Sequence, residues 1–367
     1  MLNQFGIQEE DIFQVAVVST MSSGKSTFIN ALLGNDILPS KNEACTAKTF
    51  AILDNDKATT FNAYIERTDG TQEIISINDY SIMDKINSNT NIKEVVIEGN
   101  IQGFRNVQKA TMIIDTPGVN NSQDERHGET TENFINNMKN GLIVYLMNAT
   151  QLGIKDDQHL LSFIGQKIES SNGEINILFV INKADEIDFE KENFTTIMDH
   201  AKEYIIHAGF NNPQIVPVSS LAARLLKKAH SGKPLTKMEQ HKFNSLYEMF
   251  EPKDFDLTTY AITDEYKDQQ DFIQVGETKI EAGKLQRAID RTGLTYAQYL
   301  IESAMLNHEI VQAPELKIKS YISKDEEIME NAYYHYAFRK DVKNPYPSKT
   351  DYLRNKILHK RRINKHD

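Results

Sequence analysis

The stretch that most constrains the fold runs from Ile12-Phe13-Gln14-Val15-Ala16-Val17-Val18 through Ser19-Thr20-Met21-Ser22-Ser23-Gly24-Lys25-Ser26-Thr27 into Phe28-Ile29-Asn30-Ala31-Leu32-Leu33-Gly34. Its first part is a short apolar, β-branched run of the kind that makes a buried strand. After Gly24 the apolar residues Phe28, Ile29, Leu32 and Leu33 recur at the helical period. A strand that turns into a helix through Gly-Lys-Ser forms a phosphate-binding loop. Backbone N–H groups and the positive end of the helix face an anion, Lys25 reaches the β and γ oxygens of a nucleotide, and the Ser26 hydroxyl is placed to ligate Mg²⁺. Met21, Ser22, Ser23, Gly24, Lys25, Ser26 and Thr27 are therefore candidate nucleotide-binding residues. The usual spacing places a glycine where this chain has Ser19.

Composition narrows the class. The chain has 367 residues, 40% of them apolar, enough for a sizeable core. A formal charge of −11 argues against a general nucleic-acid-binding surface, and no nucleic-acid partner is expected. That charge is unevenly spread: residues 339–367 hold ten Lys or Arg against three Asp, so +7 lies there and −18 elsewhere. The single cysteine, Cys45, excludes an intrachain disulfide framework. The first residues lack the basic-then-apolar order of a signal peptide, and no apolar run is long enough to span a membrane. The expectation is a cytoplasmic protein, with peripheral membrane association as the variant that the basic tail suggests.

Apolar strands alternating with helical patterns predict a mostly parallel sheet with right-handed crossovers. The strands are expected at 94–101, 110–114, 142–147, 175–181 and 215–218. The alternating stretch from Phe50 to Ile77 predicts an antiparallel hairpin turning at Asp69-Gly70, followed by a short helix over 78–87. Residues 36–49 lack a clean period and read as a functional loop. Past Val218 the texture becomes helical, at 221–229, 237–250, 279–289 and 295–308, with one further helical segment at 324–338. The expected division is a domain over 1–312, whose helical part is 221–312, and a short extension over 313–367.

Four more motifs sit at predicted strand ends or in the loop. Thr46, 21 residues after Lys25, can offer Mg²⁺ a second hydroxyl, with Thr49 as rival. Asp115-Thr116-Pro117-Gly118 places an acid near the metal and the Gly118 N–H near a γ-phosphate. In Asn182-Lys183-Ala184-Asp185, the Asp185 carboxylate can accept both N–H donors of a guanine edge, while Asn182 and the Lys183 stem frame the base. In Pro217-Val218-Ser219-Ser220, a backbone N–H of Ser219 or Ser220 is placed to reach the guanine oxygen. Open α/β sheets bind ligands at the carboxyl edge of their strands, so the set predicts a guanine-nucleotide site with Mg²⁺, GTP being the substrate and GDP the product. His127 reads as a solvated loop residue.

These residues resemble the GTPase domain of the bacterial dynamin-like proteins. The likeness rests on Thr20 to Thr27, the step to Thr46, Asp115-Thr116-Pro117-Gly118, Asn182-Lys183-Ala184-Asp185, the hairpin insertion, and Arg291-Thr292-Gly293-Leu294 as a closing segment. It covers about residues 10–310. The resemblance implies a Ras-like P-loop GTPase sheet enlarged by a β-hairpin, with helical additions, and GTP hydrolysis activated when two nucleotide faces meet. It implies that Ser22 helps bind a charge-compensating cation or bridging phosphate oxygens. Met21 stands where some dynamins place a water-holding Gln, leaving backbone or Thr46 for that task. The catalytic set is then Ser22, Lys25, Thr46 and Gly118, and the metal set Ser26, Thr46 and Asp115. The family's long helical stalk is not expected in the stretch after Pro314. Two other readings are a nucleotide-gated scaffold with negligible turnover and an Era-like ribosome-assembly GTPase. In the basic tail, Leu353, Ile357 and Leu358 lie among Lys356, Lys360, Arg361 and Arg362, a pattern suited to an anionic membrane or an acidic protein partner.

Overall fold

The structure is a computed structural model, and it describes residues 11–19, 22–39, 49–77, 80–101, 104, 109–117, 126–152, 156–189, 191–253, 255–260 and 282–310. Thr46, Met21, Gly118, the side chain of His127, and the segments 313–367 and 324–338 lie outside the described residues.

Nine strands form one sheet: β1 Ile12–Ser19, β2 Phe50–Asp54, β3 Asn62–Arg67, β4 Gln72–Ser76, β5 Ile92–Gly99, β6 Ala110–Asp115, β7 Gly141–Asn148, β8 Ile175–Asn182 and β9 Ile215–Val218. Their spatial order is β4-β3-β5-β2-β6-β1-β7-β8-β9. From β6 through β9 every pairing is parallel, with Val17 opposite Asp115 and Asn148 opposite Asn182. This half is the parallel sheet that the apolar strands predict. All eight residues of β7 are buried, as expected of a parallel strand covered on both faces.

The other half is the enlargement. β3 and β4 form the antiparallel hairpin that turns at Asp69-Gly70, where Gly70 has φ +83° and Asp69 Oδ1 accepts from the Thr71 N–H. The expected stretch 50–77 is not one hairpin. Its first segment, β2, pairs antiparallel with β6 and parallel with β5, so it joins the hairpin side of the sheet to the parallel half. The break falls at Asn55, whose side chain accepts from the Lys57 N–H and whose own N–H bonds to the Gly99 carbonyl. That local turn chemistry ends β2 seven residues before β3 begins.

The helices are α1 Lys25–Leu33, α2 Tyr80–Ser88, α3 Arg126–Asn137, α4 Asp156–Ser170, α5 Phe194–His207, α6 Ser220–His230, α7 Lys237–Phe250, α8 Ala282–Arg291 and α9 Leu294–Ile310. α6 packs against α1, α7 and α8. α7 starts with a capping box, Thr236 accepting from the Glu239 N–H while the Glu239 carboxylate accepts from the Thr236 N–H. One large core joins Val18, Tyr145 and Phe179 of the sheet to Leu161, Ala201, Leu225, Phe250 and Ala288 of the helices. The chain divides into two compact units, 1–268 with 272–302, and 269–271 with 303–367. Of the second, residues 303–310 are described, as the final turns of α9. Among the described residues no helix is long and apolar enough to cross a membrane.

The basic side of α6 holds the C-terminal end of α1. Lys227 Nζ donates to the carbonyls of Ala31, at 2.8 Å, and Leu32, at 3.5 Å. Arg224 and Lys228 both bridge Asp36 and Glu239. Burial, and after it the neighbouring Lys233 charge, lowers the Lys227 pKa from 10.5 to about 8. Between those values the unfolded chain binds more protons than the folded one. The stability from this group is therefore fully present above 10.5 and lost as pH falls toward about 8, a difference of up to about 3 kcal/mol across the window. Urea midpoints of wild type and Lys227→Met measured from about pH 7.5 to about pH 9.5 should show the wild type gaining on the variant as pH rises. A constant difference between the two would assign Lys227 no titration in this window.

Candidate functional site

The parallel pairing sets the ends of β1, β6, β7, β8 and β9 along one edge of the sheet, and the described residues of the motifs after β1, β6, β8 and β9 lie there. After β1 the chain passes through Ser22, held at φ +63°, and Gly24 at φ +85°, and enters α1 with the Phe28 N–H bonding to the Gly24 carbonyl. Two left-handed residues so close together curl the backbone into a concave loop. A Cβ on Gly24 would lie 2.6 Å from Asn182 Nδ2, so the loop and the end of β8 approach as closely as a glycine permits. Gly24 caps α1 without a side chain, and the first turn of the helix carries no acid. The N–H groups of that turn, where Ser26 and Thr27 stand, are thus left for an anion.

Lys25 and Asp115 meet in this loop. Lys25 Nζ lies 2.6 Å from Asp115 Oδ1, with side chains 7% and 1% exposed. The second carboxylate oxygen, Asp115 Oδ2, is buried with no hydrogen-bond partner among the described residues. Thr116 Oγ1 donates to the Val17 carbonyl at 2.9 Å, and Thr131 of α3 donates to the Pro117 carbonyl at 2.9 Å, so the turn after β6 is tied on both sides. An orphaned carboxylate oxygen at a phosphate loop, with the hydroxyl of Ser26 in the adjoining first helical turn, is a donor set that fits Mg²⁺. That ion takes one or two protein oxygens and completes its shell with phosphate and water. Among the described residues no group of three or more His, Cys, Asp or Glu could hold a metal ion.

The motif at the end of β8 is equally tied. Asn182 Nδ2 donates to the Ser23 carbonyl at 2.8 Å, while Asn182 Oδ1 accepts from Ser220 Oγ at 2.7 Å and from the Ser220 N–H at 3.2 Å. One asparagine therefore joins the phosphate loop, β8 and the start of α6. Lys183 takes the left-handed conformation at φ +64°, its Cε 4.0 Å from the position of a Gly24 Cβ and its Nζ 3.3 Å from Glu186. Asp185 sits in the 3-10 turn Ala184–Glu186, where Asp185 Oδ1 accepts from Ser219 Oγ at 2.6 Å. Burial raises the Asp185 pKa above the ordinary carboxylate value, against the opposing hydrogen bond from Ser219. Ser219 also caps α6 through the Ala222 N–H.

The structure gives Ser219 and Ser220 work beyond the expected one. The Ser219 N–H donates to the Thr292 carbonyl and the Ser220 N–H to Asn182, so in this structure both amides have protein partners. Their hydroxyls orient Asp185 and Asn182. Asn30 was not among the candidate residues. Fully buried in α1, it accepts from the N–H groups of Ile37 and Leu38 and donates to the Leu38 carbonyl, anchoring the chain after α1. The signal was an asparagine inside the apolar run Phe28 to Leu33. Thr49, the rival to Thr46, is described, and is partly buried just ahead of β2.

Residues 15–184 match the family model described as the dynamin family. A bacterial dynamin-like protein of Nostoc punctiforme is 24% identical over 192 residues, which cover 49% of this chain and 26% of that protein. Among solved structures, one described as an oligomerised bacterial dynamin pair that senses and tethers membranes aligns over 88% of this chain and 46% of its own, at 17% identity and a TM-score of 0.43. Toc33 from Arabidopsis thaliana in complex with GDP and Mg²⁺ aligns over 60% of this chain and 74% of its own, at 13% identity and a TM-score of 0.37. The chain spans about a quarter of the curated relative and about half of the dynamin chain.

Proposed function

We infer that this chain, which carries a dynamin-family segment over residues 15–184, binds GTP with Mg²⁺ and hydrolyses it to GDP and phosphate. The observation that carries the inference is the meeting, on one sheet edge, of the Lys25–Asp115 pair with the Asn182, Asp185 and Ser219 cluster. A phosphate end and a guanine end are joined there by a single side chain, Asn182.

Lys25 would exchange its bond to Asp115 for the β and γ oxygens, which would leave the Asp115 carboxylate for the metal. Ser26 and Asp115, with Thr46, would hold Mg²⁺, which would supply neutralisation of phosphate charge. Ser22, exposed at the outer bend of the loop, is placed for a compensating cation or the bridging oxygens. The Gly118 N–H serves the γ-phosphate, and backbone or Thr46 orients the attacking water. Phosphoryl transfer needs positioning and charge neutralisation rather than a strong general base, so no histidine is required. Asp185 reads the two guanine N–H donors, with Ser219 holding the carboxylate in place.

The same reading includes self-association through the nucleotide face, a GTPase domain over 1–312 with a short extension after it, and an anionic membrane or acidic protein as partner of the basic tail. Single-turnover phosphate release from GTP, with Mg²⁺ and with chelator, tests the activity. Release that depends on Mg²⁺ and accelerates with protein concentration is expected. Tight GTP binding without release would leave the nucleotide-gated scaffold as the function. Flotation with anionic and neutral liposomes, comparing the full chain with one ending at Tyr352, tests the tail. Equal recovery of both chains with anionic liposomes at low salt would remove the membrane from the proposal.

A further inference from the structure

The turn between α8 and α9 lies far along the chain from every nucleotide motif, yet it touches the residue that orients the base-reading carboxylate. The Ser219 N–H donates to the Thr292 carbonyl at 2.9 Å, and Ser219 Oγ donates to Asp185 Oδ1 at 2.6 Å. Gly293 lies against the end of β9. A Cβ there would stand 2.0 Å from the Pro217 carbonyl oxygen and 3.1 Å from its carbon, and the residue has φ +78°. Backbone atoms set this contact, so no side-chain rotation relieves a substitution.

The turn is firmly built from its own side. Thr292 is fully buried, and its hydroxyl donates to the Ile289 carbonyl at 2.6 Å and accepts from the Leu294 N–H at 3.4 Å. Asp290 Oδ1 accepts from Gln286 and Thr295, each at 3.0 Å, bridging the two helices across the turn. Arg291 donates to the carbonyls of Phe250 and Glu251 at the end of α7. Three helices thus hold the Thr292 carbonyl at a fixed place. Its partner at that place is the backbone of Ser219, whose hydroxyl has two tasks: capping α6 and orienting Asp185.

We propose that Thr292 and Gly293 are positioning residues for guanine recognition, acting through Ser219 on Asp185. The proposal rests on the reading of Asp185 as the base-reading acid. A displaced turn moves the Ser219 amide, and the hydroxyl with it, so the carboxylate loses the geometry needed to accept two N–H donors. The phosphate loop bonds to Asn182 and not to Thr292, Ser219 or Asp185, so it lies one step to the side of this chain of contacts. The expected signature is therefore selective: guanine discrimination falls while the phosphate contribution to binding stays.

The test measures GDP and ADP affinity, with Mg²⁺, for wild type, Gly293→Ala, Ser219→Ala and the double variant, with circular dichroism as the check on folding. Gly293→Ala should narrow the GDP-to-ADP preference at least about tenfold with ADP affinity unchanged, and should add little in the Ser219→Ala background, because groups acting along one path are not additive. Thr292→Val, which replaces the hydroxyl with a methyl group that cannot bond to the Ile289 carbonyl, should narrow the preference severalfold and supplies the result if Gly293→Ala does not fold. A wild-type preference kept in Gly293→Ala, or in Thr292→Val where that variant replaces it, overturns the inference. So does a double variant that loses the product of the two single effects. A wild type with no preference for GDP over ADP would instead refute the reading of Asp185 itself, and the positioning role with it.

Discussion

Replacing Lys25 with alanine removes turnover and, in the nucleotide-free protein, also costs stability. On the catalytic side the loss of a cation aimed at the transferring phosphoryl group is worth about 10²- to 10³-fold in rate, or about 2.7–4 kcal/mol, as for other preorganised electrostatic contacts. The second effect comes from the pair itself. Asp115 is 1% exposed and its charge is balanced by Lys25 at 2.6 Å. Removing one member of a buried pair leaves an uncompensated charge, typically at a cost of about 3–5 kcal/mol. Lys25 is therefore part of the folded interior as well as the proposed phosphate ligand, so its deletion carries a structural cost. The measurement is phosphate release under single-turnover conditions beside urea unfolding of the apo protein. Lys25→Ala should fail in both, and Lys25→Ala with Asp115→Asn should regain much of the stability while staying inactive. Unchanged turnover in a folded Lys25→Ala variant would place the reaction elsewhere.

Asp185→Asn exchanges the base that is read. The carboxylate accepts from Ser219 Oγ in this structure and keeps lone pairs for the two donors of guanine. Asparagine presents a donor where an acceptor is needed. GDP binding should weaken by about 1.5–3 kcal/mol, roughly tenfold to a hundredfold, while XDP, whose edge supplies the complementary acceptor, should bind better to the variant than to wild type. Stability moves the other way. Burial raises the Asp185 pKa, so the folded chain holds this proton more tightly than the unfolded one. The resulting stability is present below the ordinary carboxylate pKa and lost as pH rises through the raised value, which makes the ionised form a cost at neutral pH. The apo variant should melt no lower than wild type at pH 7, and above it if that cost is large. In wild type, GDP affinity should begin to fall on acidification at a higher pH than an unperturbed aspartate would impose. Equal GDP and XDP titrations for both proteins would sever Asp185 from base selection.

Local signals carried much of this molecule. β9 falls on residues 215–218 and α7 on 237–250 where the patterns place them, because a continuous apolar run and a helical period are properties of neighbouring residues. The turn at Asp69-Gly70 was readable for the same reason, since a left-handed glycine announces itself in its own dipeptide. The motifs at the ends of β1, β6, β8 and β9 could be assigned to one sheet edge from topology rules alone, because crossover connections leave parallel strands pointing the same way.

Partner choice was decided only in three dimensions. Nothing near Phe50 says that β2 pairs parallel with β5 on one side and antiparallel with β6 on the other. Nothing near Lys25 says that its partner is Asp115, ninety positions away. Asn182 reads in sequence as a base-framing residue, yet its amide spends its hydrogen bonds on Ser23 and Ser220. The two serines after β9 have the amides expected to face a ligand, and those amides are taken by Asn182 and by a carbonyl from the turn between α8 and α9. Hydrogen-bonding types are written in the residues, but each type has many eligible partners along 367 positions. Burial selects among them, because a polar group withdrawn from water must bond to whatever the packed backbone brings within about 3 Å.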